Sequence, residues 1–183
     1  MAQSKFSFLN AISITLACGL FCSLSAQPSQ GDPISVRPKS QARLDAIKGK
    51  VDGFIVWSSS RSNKHHDLWI MNADGTDAKQ LTNSNSVDWF PRVSPDGQRV
   101  LFTRSKSGWV SETDAKFAEK WDLWVKDLAS GQESKLVENA TWGTWRPRGT
   151  AVAYARGSKA YLFDLETQKE TLLINGDKIK KGT

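Results

Sequence analysis

The chain has 183 residues, with 25 Lys or Arg against 19 Asp or Glu, a formal net charge of +6 and 39% hydrophobic residues. The basic excess is mild and interspersed with acids. Both cysteines, Cys18 and Cys22, lie within the first 26 residues, so a chain that has lost that segment has neither a disulfide framework nor a thiol nucleophile.

Met1-Ala-Gln-Ser-Lys5 supplies one positive charge, Phe6 to Leu24 is mostly apolar and small, and Leu24-Ser-Ala26 precedes Gln27-Pro28. This order predicts a secretory signal peptide over 1–26, cleaved after Ala26, and hence a periplasmic or secreted protein. Asn10, Ser13 and Thr15 interrupt the apolar stretch and favour cleavage over a permanent membrane anchor. Leu16-Ala-Cys-Gly19 resembles part of a lipoprotein signal, but Thr15 stands where that signal usually has Leu. Cleavage leaves 24 basic and 19 acidic residues. Residues 27–50, rich in Pro, Ser, Gln and Lys, predict a flexible segment with at most a short helical turn or strand at Leu44-Asp-Ala-Ile47.

A repeated unit occupies 51–174. Gly53-Phe-Ile-Val-Trp57, Asp67-Leu-Trp-Ile-Met-Asn72, the turn Ala73-Asp-Gly75, Lys79-Gln-Leu-Thr82 and Pro91-Arg-Val-Ser-Pro-Asp-Gly97 succeed one another. The order recurs as Arg99-Val-Leu-Phe-Thr-Arg-Ser105, Asp122-Leu-Trp-Val-Lys-Asp127, Ser130-Gly131, Lys135-Leu-Val137 and Trp145-Arg-Pro-Arg-Gly149. A third pass gives Ala151-Val-Ala-Tyr-Ala-Arg156, Ala160-Tyr-Leu-Phe-Asp-Leu165 and Thr171-Leu-Leu-Ile174. Equivalent landmarks lie 52 (Gly97 to Gly149), 45 (Trp57 to Phe102) and 38 (Leu123 to Tyr161) residues apart. That spacing scatters around the roughly 40–45 residues of a four-stranded propeller blade.

Contiguous apolar runs such as Phe54-Ile-Val-Trp57 predict strands covered on both faces by neighbouring blades. Asp74-Gly75 and Asp96-Gly97 supply the positive φ that tight turns need. All eight Trp (57, 69, 89, 109, 121, 124, 142 and 145) come after the signal segment and are read as packing between blades, with Trp69 and Trp124, equivalent in successive units, both buried. The extra polar stretch Gly108 to Glu119 predicts a solvated rim loop. Residues 175–183 predict a loose polar tail.

The first unit, with its Asp-Gly turn, Leu-Thr strand end and Ser-Pro-Asp-Gly corner in that order, resembles the repeat of the TolB-like β-propellers over about residues 53 to 174. Arg146 and Arg148 stand where the family has Ser and Asp in the corner, and Glu166-Thr-Gln168 replaces an Asp-Gly turn. The resemblance implies an all-β array of about three four-stranded antiparallel blades, a platform for protein contacts, usually exported in bacteria. The same repeat also builds the propeller half of prolyl-oligopeptidase-like hydrolases and of some polysaccharide lyases, so a piece of a longer enzyme is the alternative reading.

The residues offer little catalysis. His65-His66-Asp67 is the one cluster of metal-ligand types, but neighbouring strand residues face opposite ways, so loop polarity is the reading preferred to a metal site. No Gly-x-Ser-x-Gly elbow or Gly-rich phosphate loop occurs. Asn72 to Asp77 has calcium-loop composition without the ligand alternation, and a hairpin turn accounts for it. Arg92, Arg99, Arg104, Arg146, Arg148 and Arg156, with Trp142 and Trp145, raise the option of an acidic polymer or single-stranded nucleic acid, against the plainer one of pairing with turn acids, which is preferred because an exported protein seldom meets nucleic acid. Asn139-Ala-Thr141 is a glycosylation sequon that matters only in a eukaryotic secretory pathway.

The sequence thus predicts a non-enzymatic exported interaction module with no catalytic, cofactor or metal residues, a protein partner, no nucleic acid and no stable membrane span. The first unit lacks an opening strand, and the third is expected to be cut short after Ile174. Fewer than three complete blades would leave the ring open, so either a longer parent or self-association is expected to complete it.

Overall fold

The computed structural model describes residues 38–62 and 65–179. The signal segment, both cysteines and the start of the lead segment lie outside the described residues. Among those described, eleven strands form three antiparallel sheets. Sheet I contains β1 (Phe54–Ser59), β2 (Asp67–Asn72) and β3 (Lys79–Gln80). Sheet II contains β4 (Asp88–Val93), β5 (Arg99–Ser105), β6 (Trp121–Asp127) and β7 (Glu133–Glu138). Sheet III contains β8 (Thr141–Trp145), β9 (Ala151–Arg156), β10 (Lys159–Asp164) and β11 (Glu170–Asn175). This is an incomplete propeller of the expected class.

The phase of the repeat is the first correction. Each sequence unit straddles two sheets, because its last segment pairs forward: Asp88 and Trp89 pair with Arg104 and Thr103 of the next unit. The corner before Gly149 therefore comes after the opening strand of sheet III, which is complete with four strands, contrary to the expectation that the third blade is cut short. Sheet I lacks an opening strand among the described residues, as expected.

Carboxylates fix the turns that join the strands. Asp127 Oδ1 accepts hydrogen bonds from the Ala129 and Ser130 amides (3.1 and 2.7 Å), and Asp164 Oδ1 accepts them from Glu166 and Thr167 (3.1 and 2.8 Å). The two turns close alike although one ends in Gly131 and the other in Gln168, which adopts φ 57° in glycine's place. The Asp cradle thus overrides a residue that disfavours this region.

Two hydrophobic seams join the sheets. Val56, Leu68 and Leu81 of the first unit pack on Val100, Phe102 and Trp124. Leu101, Leu123, Val125 and Val137 pack on Ala140, Val152, Tyr154, Tyr161 and Phe163. Each fully buried Leu or Phe stabilises the stack by roughly 1.5–3 kcal/mol. Trp69 is buried as expected, but Trp124 is only half-buried. Its ring is roofed by the Arg104 guanidinium, 4.9 Å from the centroid, where the sequence suggested hydrocarbon.

At the second seam a side chain is missing by necessity. A Cβ on Gly143 would lie 2.9 Å from a terminal methyl of Leu101 and of Leu123. Gly143→Ala is therefore expected to destabilise by about 1–3 kcal/mol through overpacking. A denaturation midpoint equal to that of the wild type would show that the sheets can separate at no penalty.

Part of the segment expected to be flexible forms helix α1 (Pro38–Ile47). Pro38 suits a first helical position because its missing N–H has no partner there. Leu44 rests against the β2–β3 turn, its Cδ2 atom 3.2 Å from where a Gly75 Cβ would be. Asp74 latches the two elements: its carboxylate accepts the Thr76 hydroxyl (2.6 Å), the Gly49 amide (2.9 Å) and the Thr76 amide (3.0 Å). These bonds lower its pKa from 3.8 to about 2. A depressed carboxylate contributes stability that is fully present above its unfolded value and lost as pH falls through the folded one. Acidification from about pH 4 towards pH 2 should thus release α1 first, seen as titration of the Gly49 amide resonance near pH 2. A Gly49 signal that stays constant over this range would show that the latch does not hold the helix.

The start of the expected loose tail is held as well. The Gly176 amide donates to the Ser158 carbonyl (3.0 Å), and Asp177 pairs with Lys159 (3.3 Å).

Candidate functional site

The opening strands β4 and β8 each contain a bulge at the same place. Pairing with β5 skips from Trp89 to Arg92, and pairing of β8 with β9 skips from Thr141 to Thr144. The looped-out residues include an aromatic in each case, and both aromatics are left-handed: Phe90 at φ 55° and Trp142 at φ 56°. A bulky side chain in that region costs about 1–2 kcal/mol, so the surrounding ladder must hold each one there. Their rings meet across the two sheets with centroids 4.7 Å apart and planes 37° apart.

Behind this pair runs a chain of rings. Trp89 meets Phe90 edge-on at 5.9 Å and His66 at 5.4 Å, and stacks on Trp121 at 5.5 Å. Ser58, His66, Trp89, Phe90, Pro91 and Arg92 line an open cavity of about 390 Å³. Trp142 stands beside Phe90 with 51% of its surface exposed, more than any other Trp except Trp109. The polar rim comes from Arg92, which is exposed, and from Ser58, whose hydroxyl donates to the Asp88 carbonyl (2.7 Å).

The arginines divide into two groups. Arg104 forms a bidentate pair with buried Asp88 (2.7 and 2.7 Å) and reaches Glu133 at 2.8 Å. Arg156 holds Glu170 at 3.0 Å and the Asn139 carbonyl at 3.1 Å. Each guanidinium also lies over the aromatic pair of its own sheet. Arg61 covers Trp57 and Trp69 in the same way, though it arrives from the loop after β1. Arg99 pairs with the turn acid Asp96 (3.5 Å) and lies 4.9 Å above Trp145, whose indole N–H donates to the Arg92 carbonyl (2.8 Å). So Arg99, Arg156 and Trp145 tie sheets II and III together through backbone carbonyls, while Arg104 and Arg156 pair with strand acids of their own sheets, where turn acids were expected. Arg92, Arg146 and Arg148 are exposed.

The other sequence candidates are accounted for locally. His66 Nδ1 lies 3.4 Å from the Ser58 hydroxyl, and the described residues contain no cluster of three or more metal-ligating side chains. The Asn72 amide donates to Thr76 Oγ1 and Asp77 Oδ2, closing the hairpin turn. The Asn139 side chain accepts from Lys106 (2.6 Å). The stretch expected to be a solvated loop instead folds into two 3-10 turns, Glu112–Lys116 and Ala118–Lys120, and buries Val110, Ala115 and Ala118. Sequence reading missed the bulge: nothing in Trp89-Phe90-Pro91 or Thr141-Trp142-Gly143 announces a positive φ, and only their equivalent position, one residue before Pro91 or Gly143, hints at it.

No protein-family profile matches the chain. The Tol-Pal system protein TolB of Roseobacter denitrificans is 39% identical over 70 residues, which is 37% of this chain and 16% of that protein. The TolB homologue of Chlorobaculum tepidum is 28% identical over 142 residues, 73% of this chain and 30% of its own length. The crystal structure of TolB from Acinetobacter baumannii superposes with a TM-score of 0.50 at 18% identity, over 67% of this chain and 31% of that one. The chain carries TolB-like β-propeller repeats. It spans less than a third of the length of these TolB proteins. Among the described residues of the TolB-like array, no helix is long and apolar enough to cross a membrane.

Proposed function

We propose that this TolB-like array is a non-enzymatic, exported protein-interaction module whose contact surface is the Phe90–Trp142 face of the opening strands. The observation that carries this reading is the duplicated bulge. Two sheets independently hold a large aromatic ring in a left-handed conformation, and the result is an exposed indole against Phe90, with Arg92 lining the adjoining cavity. Aromatic and Arg side chains on a fixed scaffold are the anchors that dominate protein recognition. Relatives named for a Tol-Pal system support a partner of the same kind for this chain, a protein of the bacterial envelope. Export through the segment 1–26 belongs to this reading, with a mature N-terminus at or near Gln27.

The test places a photo-crosslinking residue at exposed Thr144, next to the bulge, in the exporting bacterium. A discrete protein adduct should form, and Trp142→Ser should abolish it without lowering the melting temperature. Absence of any protein adduct, or an adduct indifferent to Trp142→Ser, would refute the assignment.

A further inference from the structure

The β5–β6 connection runs from residue 106 to residue 120, where the equivalent β9–β10 hairpin of sheet III closes with Gly157 and Ser158 alone. Ordering the extra residues costs conformational entropy, and closing a blade does not require them. The connection is pinned on both sides of one outward-facing ring. The Ser105 hydroxyl accepts the Val87 amide (2.8 Å) and donates to the Gly108 carbonyl (2.6 Å), while Val110 is buried in the cluster of Trp89 and Trp121. Trp109 stands between these fixed neighbours with 60% of its surface exposed. Every other Trp has a ring, a cation or a hydrogen-bond partner, and Trp109 has none among the described residues. Packing therefore gives no account of it.

Trp109 borders an open cavity of about 390 Å³ whose other walls include Lys106, Ser107, Asp114, Glu119 and Lys120. That volume lies at the small end of ligand sites. Lys120 pairs with Asp114 (2.7 Å) and Lys106 bonds the Asn139 side chain (2.6 Å). The side chains of Ser107 and Glu119 have no partner among the described residues. Two ammonium groups and two carboxylates balance, so the cavity favours neither an anion nor a cation. Nor does it resemble the seat of a protein anchor, since such anchors are sealed by their neighbours against water and these neighbours are charged or hydroxylic. The chemistry that fits is a neutral ligand with an apolar face for the indole and closely spaced hydroxyls at its edge. Carboxylates accept from hydroxyls, ammonium groups donate to them and Ser107 can do either. A pyranose ring has this form, with C–H bonds on a face and hydroxyls around the rim.

We propose that the β5–β6 connection is a binding site for a neutral saccharide. One pyranose ring stacks on Trp109, and its hydroxyls bond to Glu119, Ser107 and the Asp114–Lys120 pair. The site is contained within sheet II and shares no residue with the Phe90–Trp142 face, so either assignment can fail without the other.

The test follows the Trp109 indole N–H resonance of the ¹⁵N-labelled protein, identified by its loss in Trp109→Ala. Maltotriose, cellotriose, mannotriose, triacetylchitotriose, trigalacturonate and phosphatidylglycerol vesicles are added in separate titrations. At least one of the neutral trisaccharides should shift the resonance saturably at millimolar concentration. By ligand-observed NMR, Trp109→Ala should weaken that binding by about tenfold or more at an unchanged melting temperature, and Glu119→Ala should weaken it less. Trigalacturonate should bind more weakly than the neutral sugar, because Asp114 and Glu119 repel its carboxylates. Four results would overturn the proposal: no response to any neutral trisaccharide, whether or not the vesicles perturb Trp109; binding indifferent to either substitution; trigalacturonate binding as tightly; or a Trp109→Ala variant that melts early, which would make the ring a packing group.

Discussion

Asp88→Ala is expected to destabilise the protein by about 3 kcal/mol, the lower end of what breaking a buried ion pair costs. The carboxylate is fully buried and holds Arg104 through two 2.7 Å hydrogen bonds. Burial pushes the Asp88 carboxyl above its ordinary pKa, against the Arg104 guanidinium, which holds it down. Removing the acid leaves the guanidinium with Glu133 alone, a partner that is itself partly exposed. That remaining contact is why the loss stays near the lower end. Glu133→Ala, by contrast, should cost about 1 kcal/mol, because solvent screens its pair. Asp88→Asn keeps the shape without the charge and should fall between. Urea denaturation measures all three, and the expected loss is largest for Asp88→Ala, smaller for Asp88→Asn and smallest for Glu133→Ala. An Asp88→Ala midpoint within error of the wild type would mean that the clamp between β4 and β7 carries no stability.

Trp121→Ala should cost about 3–5 kcal/mol, the range for deleting a large aromatic from a core. Trp121 is fully buried, stacks on Trp89 at 5.5 Å and donates its indole N–H to the Asp114 carbonyl (3.1 Å). It thus supports two things at once: the folded insertion on one side, and on the other the ring chain that ends at Phe90 and Trp142. The insertion should become a site of rapid proteolysis between Gly108 and Glu119 in this variant, and Trp142 fluorescence should shift to the red as the bulge loosens. A loss below about 1 kcal/mol with an intact insertion would place the main support of the bulge elsewhere.

Much of this molecule is readable in the chain because turns are local. Asp-Gly pairs, the Ser-Pro-Asp-Gly corner and short apolar runs encode strand, hairpin and period within a few residues, and that was enough for the all-β array and for the outline of each unit. Even the departures at Glu166-Thr-Gln168 were tolerated locally, since Asp164 supplies the turn's hydrogen bonds whatever residue comes next.

What the sequence could not decide were the relations across sheets. Whether Asp88–Val93 ends one blade or begins the next depends on which edge is free to pair, a non-local choice that shifted the phase and completed sheet III. Trp69 and Trp124 look alike in their units and each lies under a guanidinium, yet one is buried and the other half-buried. The insertion read as polar because its few apolar residues are scattered, and only the proximity of Trp121 and Val87 gathers Val110 into a core. The positive φ of Phe90 and Trp142 likewise arises from a mismatch of pairing with β5 and β9, which no residue type announces. Local hydrogen bonds set the elements of this protein, and packing between sheets chose its site, because the free energy of burial is realised only where distant segments meet.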